Sequence, residues 1–460
     1  MRRCTLEEVA RFSGGRLVQG DPALEVDRLH TDTRTLGAGD CFVALRGDRF
    51  DGHAFVRDVR ERGAVAAVVS NRLLPDVPAD LGLVEVPDTL EALQRFAATY
   101  RQLLSARTIG VTGSSGKTST KEFIAAVLRT RFRAKATKGN LNNHIGVPLT
   151  LLDLEEDDEY GVVEMGMNHP GEIAVLAKMA APAIGVISSI GPAHIEFFSG
   201  QNAIAEEKAE LIAALPVDGA AILNGDDEWS RRIAPRTRAR IVWTGDAPDA
   251  AWSAREVEVT SGGISFRLQH GGESVPVRLP VFNRVMVSNA LLAAAVGGEC
   301  GLTLAEIARG LESVSLPGAR MQVVEARGAR IINDAYNANP SSMKAALVAL
   351  SEFPGTGRRV AVLGSMGELG RHATELHREV GAFAARQGVG FLIAVGPHAD
   401  AYVIGAMGGG MRNVARALDA EEATVALSGI LRPGDVVLVK GSHFMGLEKL
   451  VETIAGKGGN

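Results

Sequence analysis

Short apolar runs alternate along this chain with stretches whose apolar residues recur every three to four positions. Within the first hundred residues, runs at 41–45, 65–69 and 83–86 predict strands, and 54–62 and 90–104 predict helices. From residue 108 onward the strands lengthen, at 160–165, 184–190, 220–223 and 240–244, with helices such as 201–215 between them. Strands alternating with helices imply a parallel sheet that presents ligands at the carboxyl ends of its strands. Residues 252–281 change to a period of two with Gly-Gly punctuation, which predicts a β-rich lobe attached to this unit. A Pro-Gly pair within 313–320 breaks the pattern, and another α/β set follows, with strands at 330–333, 359–363, 391–395 and 436–439. The glycine-rich stretch 405–410 reads as a mobile loop, and no internal repeat is present.

At 460 residues the chain is long enough for about three domains, divided at 1–105, 106–314 and 315–460. Charged residues make up 22% of the chain and the net charge is -5, so there is no basic field to attract nucleic acid. Cys4, Cys41 and Cys300 are few, odd in number and far apart, which predicts a reducing compartment, no disulfide framework and no zinc site. The N-terminus lacks the apolar core of a signal peptide, and no stretch is long and apolar enough to span a bilayer; a cytoplasmic location is expected.

The densest chemistry lies at residues 108–121, where an apolar strand runs into Gly-Ser-Ser-Gly-Lys-Thr-Ser and then an amphipathic helix. Gly113 and Gly116, flanking Ser114 and Ser115, let backbone N–H groups turn inward, while the helix that opens with Lys117, Thr118 and Ser119 directs its positive end at an anion. Lys117 supplies a mobile positive charge, and Thr118 suits the magnesium that accompanies a nucleoside triphosphate. The common P-loop begins with a glycine where this chain has Val111.

Glu164 ends the next strand and is a candidate magnesium ligand, with a solvated strand-end carboxylate as the competing reading. His194 follows another strand and reaches the same edge, where packing or capping competes with ligation. The spacing of Lys208 places it on the solvated face of a helix. Asn140, Asn142 and Asn143 bring three amides into four positions of a loop, which suits a polar substrate, although a turn would use the same residues. Asp334-Ala-Tyr-Asn-Ala-Asn-Pro follows a strand and precedes a helix, so its side chains belong at a sheet edge.

Together these residues resemble the Mur ligases over essentially the whole chain. The resemblance is carried by Thr31-Asp-Thr-Arg, Gly39-Asp-Cys-Phe-Val-Ala-Leu-Arg-Gly and Asp51-Gly-His, and by Thr112-Gly-Ser-Ser-Gly-Lys-Thr, the family's own form of the phosphate loop. Gly139-Asn-Leu-Asn-Asn-His-Ile-Gly-Val-Pro, Asp334 to Pro340 and Leu363-Gly-Ser-Met-Gly-Glu-Leu-Gly are most similar to the branch that adds D-alanyl-D-alanine. The resemblance implies an α/β chain of three domains: a small N-terminal α/β domain for the UDP end of the substrate, a central P-loop-type parallel-sheet ATPase domain and a C-terminal Rossmann-like domain. The implied reaction joins D-alanyl-D-alanine to UDP-N-acetylmuramoyl-tripeptide through an acyl phosphate, with ATP cleaved, in peptidoglycan precursor synthesis by a monomer. It also implies that Thr118, Glu164, His194 and a carbamylated Lys208 hold Mg2+, with Lys117 acting on the phosphates. Asn289, Arg320, Asp334, Tyr336, Asn337 and Asn339 would complete the ATP site. Asp32, Thr33, Arg34, Arg46, Gly47, Asp51, Gly52 and His53, with the three amides at 140, 142 and 143, would bind the UDP-linked substrate.

Two departures stand out. The stretch Asn283-Arg-Val-Met-Val-Ser-Asn289-Ala keeps Arg284 and Asn289 but has Val285 and Met286 where the family shows His-Asn at the adenine, and the usual Lys-Gly-Ser-Arg reads Lys440-Gly-Ser-His443. They leave open another amino-acid-adding Mur ligase, or a nucleotide-binding regulatory homologue without catalysis.

Overall fold

The computed structural model describes residues 1–47, 50–70, 77–260 and 262–456. Its strands form three main sheets, each drawn from one stretch of the chain, plus a two-stranded pair. The largest sheet runs, edge to edge, Glu273–Leu279, Gly263–His270, Trp252–Thr260, Arg240–Thr244, Ala220–Asn224, Ile184–Ile187, Arg107–Thr112, Tyr160–Glu164 and Ala134–Ala136. The strands from Ala134–Ala136 across to Arg240–Thr244 are parallel, and Trp252–Thr260 joins them through one parallel pairing. Its last two neighbours are antiparallel, so the β-rich lobe expected at 252–281 extends the same sheet.

Parallel strands covered on both faces are apolar throughout, and the core shows it. Ile109, Val111, Val162 and Val186 have no exposed surface, nor do Phe123, Ile124, Val127 and Leu128 of the covering helix Lys117–Leu128. The helix Val285–Glu299, apolar on every side, packs against that helix and is correspondingly buried.

The C-terminal sheet, Gln322–Ala326, Ala329–Asn333, Val436–Lys440, Arg359–Gly364, Phe391–Val395 and Val414–Ala417, is parallel except for its first hairpin. The N-terminal sheet, Arg16–Gln19, Gly82–Val86, Ala66–Ser70, Asp40–Val43 and Arg28–His30, is parallel except for its first pair. Among the described residues, no helix is long and apolar enough to cross a membrane.

Two local expectations are corrected. Residues 54–62 do not form an α-helix: a 3-10 turn, Gly52–Phe55, is followed by further tight turns in which Val56, Asp58, Arg62 and Gly63 each donate to the carbonyl three residues back. The buried residues of this stretch, Val56 and Val59, are themselves three apart, a spacing that fits three residues per turn. Residues 405–408 belong to the helix Ala399–Gly408 and are no loop. Gly405 faces the neighbouring helix Ala373–Arg386 so closely that a Cβ would stand 1.9 Å from the Arg378 carbonyl oxygen. The glycine there is a packing residue.

Candidate active site

The phosphate loop leaves the central strand Arg107–Thr112 between two neighbours whose registers, Glu164 opposite Val111 and Ile187 opposite Thr112, bring three strand ends to one edge. The loop is braced by the segment that follows Ile187. Ser114 N–H donates to the Ser189 carbonyl at 2.8 Å, Ser115 N–H to Ser189 Oγ at 3.0 Å, and Ser114 Oγ to the Gly191 carbonyl at 2.9 Å. Gly113 adopts φ 152°, and a Cβ there would lie 2.0 Å from Ser188 Oγ, so this bracing requires glycine. Gly116, at φ 81°, starts the helix Lys117–Leu128 with its backbone N–H groups free for an anion. Lys117 Nζ folds back onto the Gly113 carbonyl at 2.9 Å. Burial and the charge of Arg320 lower its pKa, against the pull of Glu164 and Glu368.

At the next strand end Glu164 is almost fully buried. Its Oε1 accepts from Thr118 Oγ1 at 3.2 Å and from Asn142 Nδ2 at 2.8 Å, while Oε2 is buried without a partner. Glu164 N–H donates to Thr137 Oγ1, which fixes the backbone behind it. A buried carboxylate oxygen with no donor and an adjacent hydroxyl form half of a site for a hard cation. No cluster of three or more His, Cys, Asp or Glu suited to a metal occurs among the described residues, so further ligands have to come from other groups.

Lys208 contradicts its solvated-face reading: it is 1% exposed, and among the described residues its Nζ donates to the Met167 Sδ, at 3.6 Å. Burial drives its pKa well below the ordinary lysine value; Lys117 adds to this and Glu207 opposes it. His194 takes a left-handed backbone at φ 59° and pairs through Nδ1 with Glu368.

Asn140, Asn142 and Asn143 all line the same cavity of about 410 Å³, a volume in the range of ligand pockets. Asn143 Oδ1 also accepts from the Ile145 and Gly146 N–H groups, so that residue performs the turn role as well. From the C-terminal sheet, Arg320 lies over the Tyr336 ring at 3.8 Å, and its Nε is buried without a partner. Asp334 is paired with Lys440 Nζ at 2.6 Å, and the same ammonium donates to the Asn337 carbonyl. Asn339 Nδ2 donates to the Ser114 carbonyl at 3.2 Å, a direct bond onto the phosphate loop. Asn289 closes the floor: a Cβ on Gly116 would stand 2.9 Å from its Oδ1, and its Nδ2 lies 3.5 Å from Met286 Sδ. Ser114, Ser115, Gly116, Lys117, Thr118, Ser119, Glu164, His194, Arg320, Asp334, Tyr336, Asn337 and Asn339 are thus brought together, whereas Lys208 is not among the lining residues, although its partner Met167 is.

The N-terminal candidates do not line this cavity. Asp32 and Arg34 form an exposed bidentate pair, and Arg46 bonds Asp51 at 3.2 Å. Asp51 also accepts from His53 Nδ1 at 2.5 Å, and His53 Nε2 accepts the Ser70 N–H at 2.9 Å. Glu368 and Lys440 are site residues to which sequence reasoning gave no role. Both lie inside motifs it had singled out, but their partners His194 and Asp334 are more than a hundred residues away, and only the fold supplies them.

Three family descriptions match the chain: Mur ligase family, catalytic domain at residues 25–101; Mur ligase middle domain at 111–297; and Mur ligase, glutamate ligase domain at 319–443. The chain is 36% identical to the UDP-N-acetylmuramoyl-tripeptide–D-alanyl-D-alanine ligase of Bacillus subtilis (strain 168), over 99% of both chains. It is 36% identical to the ligase of that name from Escherichia coli (strain K12), again over 99% of both. Among solved structures it is similar to MurF from Acinetobacter baumannii, with a TM-score of 0.92, 31% identity and coverage of 99% of this chain and 100% of that one. It is also similar to MurF ligase from Thermotoga maritima in complex with ADP, with a TM-score of 0.83, 28% identity and coverage of 94% and 97%.

Proposed function

The chain belongs to the Mur ligase family, and from that premise we propose that it joins D-alanyl-D-alanine to UDP-N-acetylmuramoyl-tripeptide with cleavage of ATP to ADP and phosphate. One observation carries the reading. A glycine loop at a helix N-terminus, Lys117, Thr118 and the unpartnered oxygen of Glu164 share one cavity with Arg320 and Tyr336 from the C-terminal sheet.

A carboxylate is a poor acyl donor, so the terminal carboxylate of the tripeptide first takes the γ-phosphoryl group of ATP. The dipeptide amine then attacks the acyl carbon and phosphate leaves, with no protein nucleophile required. The loop N–H groups, Lys117 and Arg320 hold and neutralise the phosphates, and Asn140, Asn142 and Asn143 receive the polar end of the tripeptide. Closure of the C-terminal unit over the nucleotide, through Asn339 on the loop, keeps water from the acyl phosphate. Thr118, Glu164, His194 and a carbamylated Lys208 would hold Mg2+, which spreads the phosphoryl charge. Carbamylation needs a neutral amine, and the burial that depresses the Lys208 pKa favours one.

The division we adopt is 1–105 for the UDP end, 106–314 for ATP and 315–460 for closure, in an enzyme of the cytoplasm. Asp32, Thr33, Arg34, Arg46, Gly47, Asp51, Gly52 and His53 are assigned to the uridine nucleotide.

The test is phosphate release with purified protein, ATP and magnesium. Release should require both the UDP-linked tripeptide and D-alanyl-D-alanine. Turnover with a UDP-linked dipeptide and a single amino acid would make the chain another kind of Mur ligase, and no turnover with either pair would leave a binding protein.

A further inference from the structure

Among the charges that ligation brings into the cavity are the phosphates, a divalent cation and the α-ammonium of the incoming dipeptide. The first two are matched by the groups already described, and the third requires an anion. Among the described residues that line the cavity, the carboxylates are Glu164, Glu172 and Asp334. Glu164 accepts from Thr118 through Oε1 and keeps Oε2 buried without a partner, so it is given to the cation. Asp334 is neutralised by Lys440 at 2.6 Å and also accepts the Met321 N–H. Among the described residues neither Glu164 nor Glu172 pairs with a lysine or arginine, and with Glu164 given to the cation, Glu172 is the lining carboxylate left for an ammonium.

Its geometry suits a cation. Glu172 opens the helix Glu172–Ala180 after the loop that follows the Glu164 strand, so it stands on the wall next to the phosphoryl end. Oε2 accepts the Asn168 N–H at 2.6 Å and the His169 N–H at 3.2 Å, which locks the side chain. Oε1 lies 3.5 Å from His169 Nδ1. Burial pushes the Glu172 pKa up, but the two N–H groups and the imidazole more than offset it, so the carboxylate stays ionised. The His169 ring is largely exposed and rests on Phe197 at a centroid distance of 4.6 Å, so it joins the carboxylate to bulk water.

We propose that Glu172 receives the α-ammonium of the acceptor dipeptide and that His169 takes the proton this nitrogen sheds before attack, an assignment that rests on the ligase reading above. The ammonium gives one proton to the imidazole, and the freed lone pair forms the N–C bond to the acyl carbon. The bond from that carbon to the phosphate oxygen breaks with its electrons going to phosphate. The second nitrogen proton departs with phosphate, and the imidazolium returns its proton to water.

Hydroxylamine separates the two steps, because it is uncharged at neutral pH and intercepts an acyl phosphate as a hydroxamate. For the unaltered chain and each variant, ligation of D-alanyl-D-alanine and tripeptide-dependent hydroxamate formation are measured side by side. In Glu172→Gln, which keeps an oxygen for the two N–H groups, KM for the dipeptide should rise about thirtyfold or more, and the ratio of ligation to hydroxamate at low dipeptide should fall by a similar factor. Glu172→Asp, which keeps the charge, should recover part of that ratio. In His169→Asn, kcat at saturating dipeptide should fall about a hundredfold with little change in KM. Equal loss of both products in Glu172→Gln would reduce the residue to a structural role and overturn the proposal, as would an unchanged dipeptide KM. An unchanged kcat in His169→Asn would overturn the proton transfer. An unaltered chain that forms neither product fails the ligase reading instead.

Discussion

At the scale of single residues, two lysines a short distance apart do opposite work, and burial explains both. Lys117 keeps one face toward the cavity and bonds its own loop, so it stands ready to move onto phosphate. Lys117→Ala should leave the fold intact and lower kcat/KM by a hundredfold or more, since one lost contact to developing charge costs about 3 kcal/mol. Near-normal turnover in a folded variant would remove this loop from the chemistry. Lys208 is sealed beside a thioether, a place where an ammonium is held at a loss. Between its lowered folded-state pKa and the ordinary lysine value, the unfolded chain binds the extra proton, so stability rises with pH across that interval. In bicarbonate-free buffer Lys208→Met should therefore be more stable than the unaltered chain at neutral pH, with the advantage shrinking as the pH climbs toward the ordinary lysine pKa. Urea unfolding at several pH values measures this, and a constant difference would mean that Lys208 is not the titrating group. Activity should move the other way: Lys208→Ala should be inactive and regain turnover with a small carboxylic acid that replaces the carbamate.

At the scale of elements, the strands were legible because parallel strands buried on both faces have to be almost continuously apolar, and the runs at 220–223 and 391–395 are, as is 160–163 up to the site residue Glu164. The phosphate loop was legible because glycine and lysine at a strand-to-helix turn have few other uses. The inside of a helix was harder to read. In Gln201–Ala213, Glu206, Glu207, Lys208 and Glu210 look alike in sequence, yet Glu207 is buried because it accepts the Gly171 and Ile173 N–H groups of the neighbouring helix, and Lys208 is carried inward beside it. The glycine stretch at 405–410 misled in the same way, because composition does not show how closely two helices approach. Gly381 mirrors Gly405 across that contact, and a Cβ on it would lie 2.0 Å from the Tyr402 carbonyl. Replacing a helical glycine by alanine ordinarily stabilises by up to about 1 kcal/mol. Here overpacking against backbone should win, and Gly405→Ala should destabilise by about 1–3 kcal/mol. A raised melting temperature would show that the helices can part without loss.

At the scale of the whole molecule, the cavity is made by facing the carboxyl edges of the central and C-terminal sheets toward each other, the edge where parallel α/β sheets place ligands. Chain order predicts that both edges carry sites but does not predict that they face. Apolar packing shared by the two units, with Phe282 against Phe353, supports the facing, and at the cavity it is fixed by polar bonds of His194 with Glu368 and of Asn339 with the Ser114 carbonyl. Asn339 also caps the helix Pro340–Glu352 by accepting the Ser342 N–H at 2.9 Å, so a truncation there would mix two effects. Asn339→Asp separates them. Aspartate caps a helix as well as asparagine does, so thermal stability should change by less than about 0.5 kcal/mol. It cannot donate to the Ser114 carbonyl, however, and it sets a negative charge against the loop that receives the phosphates. KM for ATP should therefore rise about tenfold or more while the melting temperature of the nucleotide-free protein holds. A variant that melts early would make Asn339 a cap above all. One that keeps its ATP affinity would show that the central unit binds the nucleotide without the C-terminal unit's hold on its loop.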